Sequence, residues 1–416
     1  MASTLLSFAA LFLSVLTLLM GIGLLGTLLS LRLTLEGVGM QVVGLVMAAY
    51  FGGLICGTFV CHRLIQRVGH IRSFAAFAAV TTATVLIHGL YVSALAWAVL
   101  RFLTGISIIG LYMVIESWLG ECSEPQSRGR VFSIYMILTY LGMGAGQLLL
   151  ALNDAGGPKL FLVAGILFAM SLVPVVATRS VHPELRKPRR FSAHALLRRA
   201  PVSMLGCLTS GLINSAFYTM TPVFGSRIGL DVTQIAWLMG IPVIGGLLLQ
   251  WPVGTLSDRV DRPFLLSVLG ALVAVVSAVA ARAAGMTYIG FLIAMGCFGG
   301  ITFAVYPVAV ARAHDLFEPG DVVAVSSALL LSYGIGATVG PIAASNVMVW
   351  IGRPAGLFIY FGLVGALFAL SVFYFRKREK IEVVPVDEQV GFVPMRSTSP
   401  VIGEIDPRAT EDPHAR

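Results

Sequence analysis

The sequence predicts an all-α polytopic membrane protein, with twelve transmembrane helices in two pseudo-symmetric six-helix bundles. Three observations predict it. The 416 residues are 57% hydrophobic and only 12% charged, whereas a soluble domain carries roughly 25% charged residues. Apolar runs longer than about 18 residues, each enough to cross a hydrocarbon core of ~30 Å, recur along the chain. A charged turn, GTLSDRVDRP at 254–263, has a counterpart, HRLIQRVGHI, at 62–71, with Leu64, Arg67 and Val68 matching Leu256, Arg259 and Val260 at one constant offset. A turn that recurs once, at half the chain length, marks two fused copies of one bundle.

Apolar runs separated by charged or Gly/Pro clusters place spans at 5–31, 39–61, 73–93, 95–118, 131–151 and 160–178 in the first half. The second half supplies 203–225, 233–256, 263–283, 287–311, 322–346 and 354–375. The first run has no basic region before it and is too long for the apolar core of a signal peptide, so it is expected to stay as a membrane helix. The bundles are expected at 1–178 and 203–376, joined by a basic linker at 179–202, the longest internal polar stretch. The tail, 377–416, carries Pro385, Pro394, Pro400, Pro407 and Pro413 without apolar periodicity, and disorder is expected there.

The net charge of +8 does not point to nucleic acid, because the basic residues sit in short connections between spans. One set of connections, with the linker and the cluster Arg376, Lys377, Arg378 and Lys380, holds 19 Lys/Arg against 5 on the opposite face. That asymmetry assigns the basic face and both termini to the cytoplasm, with the protein in a cytoplasmic (inner) membrane. The five cysteines (Cys56, Cys61, Cys122, Cys207, Cys297) form no CxxC pair and no metal spacing, so neither metal nor cofactor is expected.

With this frame the chain resembles the major facilitator superfamily, over about residues 5–376. The turn Gly254-x-Leu256-Ser257-Asp258-Arg259-x-Asp261-Arg262 is similar to that family's signature between the second and third helices of a repeat. Arg101-x-x-x-Gly105 resembles its fourth-helix motif, and Pro125-x-x-Arg128-Gly129-Arg130 the loop before its fifth helix. Gly142, Gly144 and Gly146 look like a reduced form of its glycine-rich fifth helix. Glu116-Ser117-Trp118-Leu119 and Arg67-Val68-Gly69-His70-Ile71-Arg72 are closer to a bacterial branch whose substrates are mostly unassigned. The first-half turn departs from the pattern, with His62, Gln66 and His70 where the family usually has glycine, aspartate and arginine.

The resemblance implies a secondary transporter working by alternating access on a small-molecule substrate, with a proton as coupling ion, in a lipid bilayer and as a monomer. Its glycine-rich fifth helix accompanies exporters, so export is the expected direction, with an uptake symporter as the alternative. A pump would need a GxxxxGK[ST] loop, which is missing. An enzyme would want His, Asp or Glu gathered at one depth, and the seven histidines are scattered. A sensor or scaffold would carry an added folded domain.

Asp258, Arg259, Asp261 and Arg262 lie at a helix end, where a carboxylate can cap amides or pair with arginine across the seam between halves. Gating is expected of them, against a plain topological turn. Arg101 is the sole basic residue well inside a span, where a charge needs a cavity or a partner. It is either a substrate or proton-pathway group or a structural arginine bonded to first-helix carbonyls. For Glu116 the resemblance implies a latch to the Arg67, His70 and Arg72 turn, made titratable by histidine. The alternative is that Glu116 carries the coupling proton. The resemblance also puts spans one, four, seven and ten around the cavity. On span seven, Asn214 and Tyr218 share a face and Thr219 adjoins them. They form either a substrate surface or helix–helix hydrogen bonds.

Overall fold

The computed structural model describes residues 2–123, 125–177, 196, 199–377 and 384–408. Among them are twelve long helices: α1 (Ala2–Leu35), α2 (Met40–Val68), α3 (His70–Leu90), α4 (Ala94–Cys122), α5 (Pro125–Leu148), α6 (Lys159–Ala177), α7 (Pro201–Arg227), α8 (Val232–Ser257), α9 (Arg262–Ala283), α10 (Tyr288–His314), α11 (Val322–Ile351) and α12 (Gly356–Lys377). Eleven are long and apolar enough to cross a membrane. The twelfth, α7, is equally long, but its Asn214, Ser215, Thr219 and Thr221 dilute its hydropathy.

Local chemistry ends these helices where the sequence changes character. Ser93 caps α4 by accepting from the Ala96 amide, and Thr287 caps α10 by accepting from Gly290. Asp231 and Gln234 exchange hydrogen bonds as a capping box at the start of α8. Between α2 and α3 only Gly69 is non-helical, at φ +85°, a left-handed conformation that costs glycine little. The second-half counterpart is looser. It runs from Asp258 to Asp261, with Pro263 in the first turn of α9.

The duplication is visible in which helices pack together. In the first half α2 lies along α4, α1 along α5 and α3 along α6. In the second, α8 lies along α10, α7 along α11 and α9 along α12. The closest crossings also match. A Cβ on Gly53 or Gly105 would drive into the backbone carbonyl of Phe102 or Tyr50 across the α2–α4 contact. A Cβ on Gly245 or Gly299 would do the same to Gly296 or Pro242 across α8–α10. Small residues let helix backbones approach where lipid supplies no hydrophobic drive. The halves meet along α2–α11 and α5–α8, two seams that a two-fold repeat exchanges.

Large exposed apolar side chains such as Leu45, Leu95, Leu162, Leu248, Ile293 and Leu363 cover the outside. In water such a surface would be an aggregation liability; around a helical bundle it is a lipid face.

The basic linker at 179–202 lies almost wholly outside the described residues. The expected disorder of the tail is corrected for 384–408: Met395, Thr398, Ser399, Val401, Ile402, Ile405 and Asp406 are buried, and 400–404 form a 3₁₀ turn. The segment passes between the two halves at the end that carries the α2–α3 and α8–α9 turns, here called the basic end. Its side chains are ordered by partners distant in sequence, which is why local periodicity did not reveal them.

Candidate functional site

A cavity of about 120 Å³ lies at mid-depth between the halves. Gly23, Gly26 and Thr27 of α1, Tyr50 and Leu54 of α2, and Arg101, Thr104 and Tyr112 of α4 form its first-half wall, with Met143 and Gln147 of α5. Tyr218 and Thr219 of α7 and Tyr333 of α11 face them from the second half, and Arg396, Ser397 and Thr398 of the tail close the basic end. A smaller chamber of about 30 Å³ adjoins it, bounded by Tyr140, Asn214, Phe303 and Tyr306, with Tyr218, Tyr333 and Arg396 shared between the two. Spans one, four and seven thus line the main cavity, and span ten reaches only the smaller one. Helices α2, α5 and α11 contribute walls that the sequence reading did not foresee.

Arg101 is buried, and its guanidinium carbon stands 4.2 Å from the centre of the Tyr50 ring, within cation–π range. Its Nε has no hydrogen-bond partner, and no ion pair involving it occurs among the described residues. The alternative of a structural arginine bonded to α1 carbonyls finds no such bond among the described residues. What the cavity presents is a cation facing open space.

Asn214, Tyr218 and Thr219 divide. The Thr219 hydroxyl donates to the Ser215 carbonyl at 2.7 Å, a local helix bond. The Tyr218 ring stacks on Phe303 with centroids 5.8 Å apart and only 6° between planes, leaving its buried hydroxyl without a partner, as is Asn214 Oδ1. Buried polar atoms without partners are costly, and both of these border the chambers. Facing them across the main cavity, the Thr27 hydroxyl donates to Gln147 Oε1, joining α1 to α5.

At the basic end the expected gating residues are spread over three environments. Arg262 has no exposed side-chain surface. It pairs with Asp315 just beyond α10 and donates to Asp258 Oδ1 at 3.0 Å, Ser257 Oγ at 3.1 Å and the Ala311 carbonyl at 3.2 Å, and it also donates to the Val390 carbonyl of the tail. Burial pushes the Asp315 carboxyl above its ordinary value, with Arg262 opposing that rise. Asp258 caps the α8 end and accepts the Phe392 amide at 2.8 Å. Asp261 turns the other way, to Arg376 of α12 at 3.1 Å. Arg259 and Arg67 are exposed. The ion pairs of the second-half turn therefore stay within their own half.

Glu116 is fully buried near the basic end of α4. Its carboxylate accepts the Tyr135 hydroxyl at 2.7 Å and the hydroxyls of Thr398 and Ser399 from the tail. His70, also buried, places Nε2 3.2 Å from the hydroxyl of Ser117, the neighbour of Glu116. The expected latch is corrected on this point: the hydrogen bonds of Glu116 run to Tyr135 and the tail rather than to Arg67 and Arg72.

Sequence reasoning missed Tyr50, Tyr112, Tyr140, Tyr333 and Arg396. These four tyrosines come one each from α2, α4, α5 and α11, so no local pattern united them. The one available signal was the count of phenols at membrane depth, which lipid-facing positions do not favour there.

The family model for the Major Facilitator Superfamily matches residues 11–305 and 228–404. The chain belongs to the major facilitator superfamily. It is 32% identical over 338 residues to the protein named uncharacterized MFS-type transporter YcaD of Salmonella arizonae, covering 80% of this chain and 86% of that one. It is 30% identical over 335 residues to the protein of the same name in Escherichia fergusonii, with the same coverage. Among solved structures, the nucleoside transporter NupG is similar with a TM-score of 0.71 at 12% identity, over 89% of this chain and 99% of that one. A bacterial homologue of the human lysosomal transporter Spinster, inward-facing and occupied, gives 0.70 at 14% identity over 92% and 98%. A D-xylose–proton symporter gives 0.65 at 16% over 89% and 97%. At these identities the structural likenesses establish the fold alone. The protein is a multi-pass membrane transporter of this superfamily.

Proposed function

We propose that the chain is a proton-coupled secondary transporter that moves a small organic solute bearing an anionic group, by alternating access, and that export is its working direction. One observation carries the reading: a chamber at mid-depth between the two halves, into which the Arg101 guanidinium, without an ion pair among the described residues, faces from its stack on Tyr50. A buried cation without a counter-ion is costly, and a carboxylate or phosphate arriving as cargo would supply the missing charge. Tyr112, Tyr218 and Tyr333 offer ring faces to the rest of the solute and hydroxyls to its polar groups. Among the described residues that line the chamber, the only cation besides Arg101 is Arg396 of the tail.

Glu116 is the group proposed to carry the coupling proton. It sits at membrane depth, is held by three hydroxyls and has no ion pair among the described residues. A carboxyl in such surroundings can be neutral or charged as its neighbours rearrange. The basic end is taken as cytoplasmic from the Lys/Arg asymmetry. The charged turn at 258–262, with Arg67 and His70 in the other half, is proposed to steady one of the two conformations, acting in a monomer divided at the 179–202 linker.

The test is direct. Purified full-length protein in vesicles, energised by a pH gradient of either sign, should accumulate anionic organic solutes in one direction and dissipate the gradient as it does so. A thermal-shift screen supplies candidates, because a ligand that binds only the folded state raises its stability. Gradient-independent leakage for every compound that shifts the melting point would overturn the reading; accumulation with the gradient reversed would favour uptake symport over export.

A further inference from the structure

We propose that residues 384–408 are a tethered plug: a segment of the chain that docks between the two halves at the basic end, closes the chamber and holds that end apart until it withdraws. The inference rests on the transport reading only for its consequence, not for the docking itself.

The segment touches both halves and uses groups nominated for the gate. On the first-half side, the hydroxyls of Thr398 and Ser399 donate to Glu116, Ile405 packs where a side chain on Gly120 would go, and Arg396 donates to the Thr139 carbonyl at 3.3 Å. On the second-half side, the Ser327 hydroxyl donates to the Pro400 carbonyl at 3.1 Å, Phe392 donates its amide to Asp258, and Val390 donates its amide to Asp315 at 3.0 Å. The end of the segment is sealed by Asp406, buried and bound by Arg408 at 2.6 Å.

The insertion is specific at its tip. Arg396 stands with its guanidinium carbon 5.0 Å from the centre of the Tyr140 ring and borders both chambers. A cation of the chain's own thus occupies the mouth of an aromatic-walled cavity. Long unbranched side chains cost entropy to order, and this one is held by ring and carbonyl contacts that exist only when the segment is docked.

Two consequences follow from geometry. The path from the chamber to the basic end passes Arg396, Ser397 and Thr398, so a docked tail blocks solute exit there. Alternating access also requires the halves to approach each other at whichever end closes. A peptide backbone lying between α4 and α11 prevents that approach. The docked tail therefore arrests the cycle in the state open toward the basic end, by excluded volume as well as by occupying Glu116.

The experiment reads access and does not depend on knowing the solute. In a chain whose five native cysteines are replaced by serine, Thr219→Cys places a reporter on the chamber wall. In inside-out vesicles, a membrane-impermeant maleimide should label it slowly in the full chain. Labelling should be at least about tenfold faster in a chain ending at Lys380, the ratio expected if docked molecules outnumber free ones by that factor. Arg396→Ala in the full-length chain should lie between the two. Because truncation can also disturb folding, a second variant fixes the tail instead: Gly120→Cys with Ile405→Cys, where a Cβ on Gly120 lies 3.1 Å from Ile405 Cγ2, an atom the cysteine removes, and so within disulfide reach of the Cβ that bears it. Oxidation should cross-link it and abolish both labelling and transport, and reductant should restore both. Equal labelling of the full and truncated chains, or failure of the pair to cross-link, would overturn the plug. Faster labelling of the truncated reporter chain, with no solute moved by the full or truncated chain that keeps Thr219, would retain the plug and reject the transport reading.

Discussion

Arg262 and Asp315 face each other at the basic end with neither side chain exposed, tying the start of α9 to the residue just past α10. Breaking a buried pair by removing one partner costs about 3–5 kcal/mol, because the other charge is left uncompensated. Arg262 also serves Ser257, Asp258, the Ala311 carbonyl and the tail carbonyl of Val390. Arg262→Ala is therefore expected to lower the melting temperature in detergent more than any other single change at this turn. Arg262→Lys should recover only part of the loss, since an ammonium cannot serve so many acceptors in one plane.

Asp258 lies in the same cluster but is 43% exposed, and exposed pairs are worth about 0–1 kcal/mol. Asp258→Asn should leave the melting temperature nearly unchanged. It keeps an acceptor for the Phe392 amide yet removes the charge opposite Arg262. Transport should slow with the ranking of solutes unaltered, as measured by initial rates in vesicles. Turnover equal to that of the parent chain would remove the turn from the gating account.

Arg101 gives the sharpest test of the chamber. Among the described residues it has no acidic partner to strand, so Arg101→Ala should fold, with a loss confined to solute binding. A charge-assisted contact of about 1.5–3 kcal/mol corresponds to a fall in affinity of roughly tenfold or more. Tyr50→Phe retains the ring under the guanidinium and should behave almost as the parent chain, whereas Tyr50→Leu removes a contact of about 0.5–2 kcal/mol. Isothermal titration with a solute from the thermal-shift screen checks all three.

The paired glycine crossings make a prediction about symmetry. Gly105→Val and Gly299→Val each put a branched side chain into a facing backbone carbonyl, and neither carbonyl can retreat without moving its helix. Both should abolish stable folding, judged by gel filtration. Gly26→Ala, on α1 with no atom near its added methyl, should be tolerated.

How much of this was legible in the sequence depends on the range of the interactions. Helix positions follow from apolar run length, and the expected spans coincide with α1–α12 apart from their ends. The ends drift because helices continue past the membrane: α5 begins at Pro125, so Arg128 and Arg130 fall inside it rather than in a loop before a span at 131. Arg101 was legible because one charge interrupts an apolar run. The partners of Glu116 were not, because Thr398 and Ser399 lie 282 and 283 residues away in a segment with no helical or strand period. The same holds for Phe392, Met395 and Ile405, whose apolar character looks incidental until the groove that receives them is formed.

Glu116 separates coupling from architecture. Glutamine at this position keeps an acceptor for the Tyr135 hydroxyl at its Oε1 and can donate from Nε2 to Ser399, so the local hydrogen bonds survive in altered sense. It cannot exchange a proton. If Glu116 carries the coupling proton, Glu116→Gln should abolish accumulation driven by a pH gradient while solute exchange between the two sides of the vesicle continues. If Glu116 is instead only an anchor for the tail, gradient-driven accumulation should persist, and the Thr219→Cys reporter should label faster because a neutral amide is a weaker acceptor for two hydroxyls than a carboxylate is. Vesicle assays of accumulation and of exchange on the same preparation distinguish the two, and Glu116→Asp, which retains the charge on a shorter stem, should restore coupling in part.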